Sequence, residues 1–357
     1  MESIGTKWLR LLVFATAALL VLSACAPAAA PTATPAPAKA PAAAPTTAPK
    51  AEVATPAPAK PKELLKIRVA TPHPGTPETG VAAIAQAMGY FKEEGVEVEF
   101  VTTKGGGDTV QAVQVPGGAD IGLLTGPMSV LGAIEKGAEL KILSAAVTPG
   151  DQQWITAGDS PYKTVKDLAG KPVGYTSAGS SSNLYLQGIL EKEGVKAELV
   201  AAGALGGSMW TQIKTGQLAA GIATPPDSWL RIEQEGARRL FGTMDYPEFA
   251  SYSYIVNFGR TDSVKNKPEA IKAFFRGWKR AAELIAKDPV AATKAYMPNT
   301  EMTQELVLRY FKDIPSTKFN LKPIGGMDIS IKYAKQYKFI TKDPDPGVVD
   351  LSLAPNY

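Results

Sequence analysis

Strand-like and helix-like segments alternate along most of this chain, in two successive series. Alternating apolar residues predict the strands, and apolar residues at a spacing of three to four predict the helices. The first series predicts, in order, a strand at 65–70, a helix at 81–88, a strand at 96–100, a helix at 109–115 and a strand at 119–124. Such alternation predicts a mostly parallel sheet covered by helices.

The second series starts near residue 165 and repeats this order. It predicts a short helix, turn and strand at 165–175, a helix from the 177–183 loop to about residue 192, a strand at 197–201, a helix at 209–214 and a strand at 219–223. The body, 63–357, exceeds the usual domain size of roughly 100 to 200 residues, so we expect two α/β lobes. A later amphipathic helix is predicted to bury Ile271, Phe274, Phe275, Trp278, Ala282 and Ile285.

The first residues have the order of a secretory signal. Lys7 and Arg10 precede an apolar run at 11–22, which is shorter than the roughly 20 apolar residues that span a bilayer comfortably. A small residue, Ala24, then precedes Cys25. We therefore predict that 1–24 is a removable signal peptide and that the protein is exported.

The segment at the end of this signal, Leu-Ser-Ala-Cys, resembles the bacterial lipobox, in which the cysteine is lipidated. Cys25 is the chain's only cysteine, so no intrachain disulfide can form. The resemblance implies a lipid anchor at the outer face of the cytoplasmic membrane or its periplasmic side; the alternative is an incidental cysteine after an ordinary signal. Alanine, proline and threonine dominate 26–62, which predicts an extended tether.

Composition argues against several classes of function. The net charge is only +4, and basic residues are interspersed with acidic ones, so no nucleic-acid-binding surface is predicted. With one histidine and one cysteine, we expect no metal site, no cofactor and no Ser-His-Asp catalytic group. The glycines at 105–107 lack the Lys-Ser/Thr of a phosphate-binding P-loop and are expected to form a turn.

Several stretches, in this order, resemble type II periplasmic binding proteins of the sulfonate, nitrate, taurine and thiamine-precursor binding family. They are the opening strand and loop, 117–122 (GGADIG) leading through Gly126 to 137–142 (GAELKI), 167–174 (DLAGKPVG), and 215–221 (TGQLAAG) before Pro225 and Pro226. Related proteins often carry an acid where Ala219 stands, which bears on the subfamily more than on the fold.

The resemblance implies an α/β fold of two lobes with mostly parallel sheets, joined by a two-strand hinge. Lobe one would comprise 63–153 and 254–357, and lobe two 154–253. It further implies a monomer that binds a small molecule, is not an enzyme, and works with an ABC permease and its ATPase. Two alternatives remain open: a thiamine-pyrimidine synthase-like enzyme on the same fold, and an extracytoplasmic sensor.

Ligands of open α/β sheets lie beyond the carboxyl ends of the strands, so four loops are expected to face a cleft. The candidate ligand-binding residues are His73, Pro74, Gly126, Pro127, Trp154, Gly179, Ser180, Ser181, Ser182, Asn183, Thr224, Pro225 and Asp227. The serine-rich loop before a helix suits an anion such as a sulfonate, carboxylate or nitrate.

Each of these candidates also has a structural interpretation. Ser180 or Ser181 could only cap the helix, and His73 could be a surface imidazole. Trp154, like Trp210 and Trp229, could stack on a ligand or pack in a core. Asp227 could bind an amine on the ligand, although a helix cap is the favoured interpretation. The sequence does not identify the solute.

Overall fold

The computed structural model describes residues 63–72, 75–203 and 205–356. The described residues belong to one compact unit, which contains two five-stranded sheets. The predicted signal, Cys25 and tether, together with His73 and Pro74, lie outside the described residues.

The strands of the two sheets occupy different stretches of the chain. The first sheet contains β1 (Leu65–Pro72), β2 (Val96–Thr103), β3 (Ile121–Thr125), β4 (Leu140–Val147) and β10 (Ile255–Arg260). The second contains β5 (Gln153–Ala157), β6 (Pro172–Tyr175), β7 (Glu198–Ala201), β8 (Ala220–Ala223) and β9 (Ala237–Gly242).

The helices follow most of these strands and form a long series after β10. They are α1 (Val81–Ala87), α2 (Tyr90–Glu93), α3 (Gly106–Gln114), α4 (Pro127–Glu135), α5 (Ser181–Lys192), α6 (Gly207–Lys214), α7 (Asp227–Gln234), α8 (Thr261–Asn266), α9 (Pro268–Lys287), α10 (Pro289–Tyr296), α11 (Gln304–Asp313) and α12 (Met327–Gln336). Short 3-10 helices lie at Pro77–Thr79, Val165–Leu168, Thr243–Asp245, Pro247–Phe249, Met297–Asn299, Pro346–Val348 and Leu351–Leu353.

Both sheets have the same arrangement of strands. Their orders are β2-β1-β3-β10-β4 and β7-β6-β8-β5-β9. The first three strands of each order are parallel, and the fourth runs antiparallel to both of its neighbours. In each sheet this reversed strand is the one that receives the chain from the other sheet. The predicted α/β class, with two mostly parallel sheets linked by two chain crossings, is confirmed.

Helix α9 supplies much of the apolar core beside the first sheet. The six apolar residues predicted to form its buried face are all buried, which confirms that prediction. Phe274 stacks on Phe91 of α2 with ring centroids 4.8 Å apart. Trp278 donates a hydrogen bond from Nε1 to the carbonyl oxygen of Phe319 (3.2 Å), so its one polar group is satisfied within the core.

Asp120 anchors the start of β3 in the first sheet. Its carboxylate accepts hydrogen bonds from the Arg68 backbone N–H (2.9 Å), Ser263 Oγ (2.8 Å) and Lys267 Nζ (2.9 Å). Burial raises the pKa of Asp120, but these hydrogen bonds outweigh it and hold the pKa below the usual 3.8. The acid in the 117–122 stretch thus joins β1 and β3 to the helices that follow β10.

Ala219 occupies the matching place in the second sheet. The Ala219 N–H donates to the carbonyl oxygen of Pro172 at the start of β6, as the Asp120 N–H donates to that of Arg68 in β1, each over 2.8 Å. Where the first sheet uses a carboxylate, the second uses the Thr156 hydroxyl, which donates to the Ala219 carbonyl oxygen (2.7 Å). Related proteins often carry an acid at the position of Ala219. In this chain the hydrogen bond from Thr156 links β5 to the start of β8 instead.

Candidate functional site

A cleft of about 1170 Å³ is lined by loops from both sheets. From the first sheet it receives residues that follow β1, β2 and β3, and from the second sheet residues that follow β6, β7 and β8. All these loops leave the carboxyl ends of parallel strands, where open α/β sheets bind their ligands. A volume above the roughly 300 to 1,000 Å³ typical of small-molecule pockets is sufficient for an organic solute.

Several helices begin at this cleft. The first residues of α3, α5, α6 and α7 line it, and so does Gly126, the N-cap of α4. The first four N–H groups of a helix have no partner within the helix, and the helix dipole places partial positive charge there. The cleft therefore offers several sites suited to a negatively charged group.

The serines before and within the first turn of α5 line the cleft and are also hydrogen-bonded to one another. Ser180 Oγ accepts from the Asn183 backbone N–H (3.2 Å), as the sequence suggested for a helix cap. Ser182 Oγ lies 2.9 Å from Ser180 Oγ and accepts from the Thr176 N–H (3.0 Å). Ser180 and Ser182 thus fix the loop, whatever they also contact in the cleft.

Ser181 has a different partner. Its Oγ accepts a hydrogen bond from Nε2 of Gln152 (3.1 Å), in the chain crossing from β4 to β5. Gln152 was not singled out by the sequence, because a glutamine in an ordinary loop carries no motif. A Cβ placed on Gly126 would lie 2.7 Å from the Ser181 backbone nitrogen, so the two helix starts are in close contact across the cleft.

Asp227 and Thr224 line the cleft from the second sheet. Asp227 Oδ1 accepts from Nη2 (2.8 Å) and Nε (3.1 Å) of Arg231, one turn later in α7. Burial raises the pKa of Asp227, and the guanidinium of Arg231 opposes that shift. The interpretation of Asp227 as a helix cap is wrong: Pro226 is the N-cap and the carboxylate is bound by Arg231 instead.

Glu78 is a cleft-lining carboxylate that the sequence analysis missed. It forms a buried ion pair with Lys318 (Oε1 to Nζ, 3.2 Å) and accepts a hydrogen bond from the Tyr254 hydroxyl. Burial raises the pKa of Glu78, while Lys318 and Tyr254 lower it, and the net direction is upward. No local signal reveals this pair, because Lys318 lies far along the chain and only the fold brings it to Glu78.

The other predicted residues lie behind the cleft surface. Trp154 is fully buried, donates from Nε1 to the Gly174 carbonyl oxygen (3.0 Å) and stacks on Phe241. Gly179 donates its N–H to Asn183 Oδ1 (3.2 Å). Pro127 begins α4 and Pro225 precedes Pro226, and both are buried. Of the described candidates, those that line the cleft are Gly126, Ser180, Ser181, Ser182, Thr224 and Asp227.

The described residues contain neither a helix that could span a membrane nor a metal-binding cluster. No helix there is long and apolar enough to span a bilayer. No group of three or more His, Cys, Asp or Glu side chains there is arranged to hold a metal ion.

Residues 77–292 match the family described as NMT1/THI5 like. The chain belongs to the NMT1/THI5-like family. Among named relatives, the 4-amino-5-hydroxymethyl-2-methylpyrimidine phosphate synthase THI13 of Saccharomyces cerevisiae is 23% identical over 257 residues, covering 67% of this chain and 74% of the yeast protein. The corresponding synthase of Schizosaccharomyces pombe is 25% identical over 258 residues, covering 69% and 73%.

Solved structures with the same fold include an alkanesulfonate-binding protein and a nitrate-binding protein. The alkanesulfonate-binding protein SsuA of Xanthomonas axonopodis pv. citri, bound to MOPS, has a TM-score of 0.64 at 17% identity and covers 77% of this chain and 91% of its own. The periplasmic nitrate-binding protein NrtA of Synechocystis has a TM-score of 0.59 at 16% identity, covering 75% of each chain. The NMT1/THI5-like chain therefore has the periplasmic binding protein fold expected from its sequence.

Proposed function

We propose that this NMT1/THI5-like protein is an extracytoplasmic solute-binding lipoprotein. It captures a small anion such as a sulfonate, nitrate or carboxylate, or a thiamine-precursor-like pyrimidine, and delivers it to an ABC permease and its ATPase. The observation that carries the proposal is the cleft between the two sheets, where helix starts and hydroxyl groups converge. The named functions of SsuA and NrtA support the same conclusion.

Capture would proceed by closure of two lobes around the solute. We assign 63–153 with 254–357 to lobe one and 154–253 to lobe two. The division is supported by sheet membership, since the chain passes between the sheets at 148–152 and at 243–254. Two such crossings form a hinge of the kind used by periplasmic binding proteins. The closed monomer would then be the form that the permease recognises.

We also propose that lipid on Cys25 holds the protein outside the cytoplasmic membrane. The basic start, the apolar run at 11–22 and the single cysteine support this location. Cys25→Ser should release the protein from the membrane fraction, whereas Ser23→Ala, a small-residue change beside it, should not. Continued membrane association of Cys25→Ser would contradict the lipid anchor.

Solute capture can be tested by thermal unfolding of the purified protein with sulfonates, nitrate, aromatic carboxylates and aminopyrimidines. A ligand at 100 times its dissociation constant should stabilise the fold by roughly 2.7 kcal/mol. We expect stabilisation by at least one anion or aminopyrimidine. Stabilisation by cations or sugars alone would contradict the proposed ligand class.

The second candidate is a pyrimidine synthase-like enzyme, favoured by the similarity to the two yeast synthases. The sequence supports capture over synthesis, because the resemblance to such enzymes implies a cysteine-rich iron motif and extra histidines in them. This chain has one cysteine, at position 25, and one histidine, at position 73. Formation of a pyrimidine product by the purified protein would favour the enzyme.

A further inference from the structure

Trp229 packs against α11, a helix that comes after β10 of the first sheet, although its own helix, α7, follows β8 of the second sheet. Its ring centroid lies 6.1 Å from that of Tyr310, with the ring planes at 56°. The Arg309 guanidinium lies over the Trp229 ring, 4.4 Å from its centroid. A guanidinium placed over an indole face is attracted by the electrons of the ring. Trp229 therefore connects elements that belong to different sheets.

Arg309 also forms an ion pair with Glu233, which lies one helical turn after Trp229 in α7. The distance from Arg309 Nη1 to Glu233 Oε1 is 2.8 Å. Residues four apart share one side of a helix, so Trp229 and Glu233 present a ring and a carboxylate to the same guanidinium. Within α11, Asp313 Oδ2 lies 3.9 Å from Arg309 Nε and remains a partner for the guanidinium when the contact with α7 is broken.

Helix α7 has another side that lines the cleft. Asp227 and Arg231, also four apart, both line it and are bound to each other (Oδ1 to Nη2, 2.8 Å). Trp229, Glu233 and Arg309 are not among the described residues that line the cleft. One helix therefore borders the proposed solute site with one side and contacts α11 with another, so a shift of α7 alters both.

The ion pair between α7 and α11 can open and close at little cost. The Arg309 and Glu233 side chains are 45% and 42% exposed, so each charge stays hydrated when the pair separates. The pair of Glu78 and Lys318 differs, because its side chains are only 4% and 5% exposed and both residues belong to the proposed lobe one. Separating a buried pair leaves an uncompensated charge. Of these two pairs, that of Arg309 is the one suited to a reversible movement.

Resting on the proposed capture by closure of two lobes, we infer that Trp229, Glu233 and Arg309 form a closure latch. Arg309 belongs to lobe one, whereas Trp229 and Glu233 belong to lobe two, so parting of the lobes breaks both the ion pair and the stacking. The closure latch lowers the free energy of the closed form relative to the open form without contacting the solute. A contact that favours the solute-holding form raises the apparent affinity for every solute alike.

The first test measures the distance between the lobes. Spin labels would be attached to Lys196→Cys in lobe two and Lys294→Cys in lobe one, both at exposed positions, in the purified full chain carrying Cys25→Ser. Arg309→Glu places a second negative charge beside Glu233 and should deplete the closed form, which shifts the distance distribution measured by pulsed electron paramagnetic resonance. Combining Arg309→Glu with Glu233→Arg restores opposite charges and should return the distribution at least in part.

The second test measures binding of nitrate and ethanesulfonate, with Arg276→Met as the matched control for Arg309→Met. Arg276 Nε pairs with Glu94 Oε2 (2.7 Å) inside lobe one, and its side chain is also 45% exposed. Arg309→Met should raise the dissociation constant of each probe that binds by about threefold to tenfold, as expected for loss of an exposed ion pair and a cation–π contact. The rise should come from faster release, whereas Arg276→Met should change neither the affinity nor the rate.

The outcomes separate the closure latch from solute capture. An unchanged distance distribution in Arg309→Glu, or no return in the variant with exchanged charges, would overturn the closure latch and leave capture intact. Equal loss of affinity in Arg309→Met and Arg276→Met would overturn it as well. Failure of the unaltered protein to bind either probe would contradict capture of nitrate or a sulfonate, whereas the distance measurement needs no solute and decides the closure latch by itself.

Discussion

Gly126 and Ser181 are in contact across the cleft. A Cβ on Gly126 would lie 2.7 Å from the backbone nitrogen of Ser181 and 3.1 Å from the carbonyl oxygen of Gly179. Heavy atoms of the backbone do not tolerate a Cβ at such distances, so only glycine allows this approach. The N-cap of α4 and the first residue of α5 thereby meet, although they follow strands of different sheets.

Gly126→Ala should therefore weaken solute binding. The added methyl group must push backbone against backbone, and overpacking of this kind costs typically 1–3 kcal/mol. Part of that cost is relieved when the two helix starts separate, so the closed form should be disfavoured. For each 1.4 kcal/mol by which the added methyl group destabilises the closed form, the dissociation constant for a stabilising anion should rise about tenfold.

Gly107→Ala provides the matched control for Gly126→Ala. Gly107 also lines the cleft, but a Cβ there meets no atom within 4 Å. It lies in α3, where alanine is favoured over glycine, so the fold should not be weakened. Equal binding by the two variants would contradict the role given to the contact at Gly126.

The buried pair of Glu78 and Lys318 should behave as a unit. Removing one partner of a buried ion pair costs roughly 3–5 kcal/mol, because the other charge stays buried without compensation. Glu78→Gln and Lys318→Met should each lower the free energy of unfolding by about this amount. The double variant should lose less free energy of unfolding than the two single variants lose in sum, as measured by urea unfolding. Strict additivity would contradict a direct interaction between the two side chains.

Asp120 should contribute stability that depends on pH. Its pKa is lower in the fold than the usual 3.8, so the ionised form stabilises the folded state above that value. The contribution is lost as the pH falls through the lowered pKa. Asp120→Asn should be destabilised by roughly 1–3 kcal/mol at pH 7, and the difference from the unaltered protein should narrow below pH 3.8.

Asp159→Asn is the control for this pH effect. Asp159 is an exposed acid in the turn after β5. Its replacement should change the free energy of unfolding by less than about 0.5 kcal/mol at either pH, as for most surface substitutions. A constant difference between Asp120→Asn and the unaltered protein from pH 7 to pH 3 would contradict the assignment.

Ser180 and Ser181 should differ in what their replacement changes. Ser180→Ala removes the cap of α5 and should cost about 1 kcal/mol of stability, measured by thermal unfolding. Ser181→Ala removes a hydroxyl that lines the cleft and leaves the buried Gln152 Nε2 without its acceptor, so it should weaken solute binding and also lower the free energy of unfolding by roughly 1–3 kcal/mol. Unchanged solute affinity in both variants would leave these serines with a structural role alone.

The fold was largely predictable because its elements are encoded locally. The predicted strands at 65–70 and 96–100 lie within β1 and β2, and the apolar spacing in α9 identifies its buried face. Strands β5 and β9 were not predicted. They lie side by side at one end of the second sheet, and their pairing is antiparallel and distant in sequence, so no strand-helix alternation indicates them.

The site was predictable only where one loop contains neighbouring residues whose side chains suit ligand binding. The serines at the start of α5 stand out because consecutive hydroxyls before a helix suit both capping and anion binding. Gln152 and Glu78 carry no such local signal. Their importance depends on Thr243, Ser181 and Lys318, partners that only the fold brings to them. Trp154 shows the opposite case, since a large aromatic residue near the cleft is used to fill the core.

Capture without chemical change is the central claim, and recovery of the bound solute tests it most directly. The purified protein would be incubated with a stabilising solute, separated from free ligand and denatured, and the released molecule identified and counted by mass spectrometry. We predict one solute per chain, chemically identical to the one supplied. Release of a converted product, in amounts that grow with time of incubation, would contradict the account.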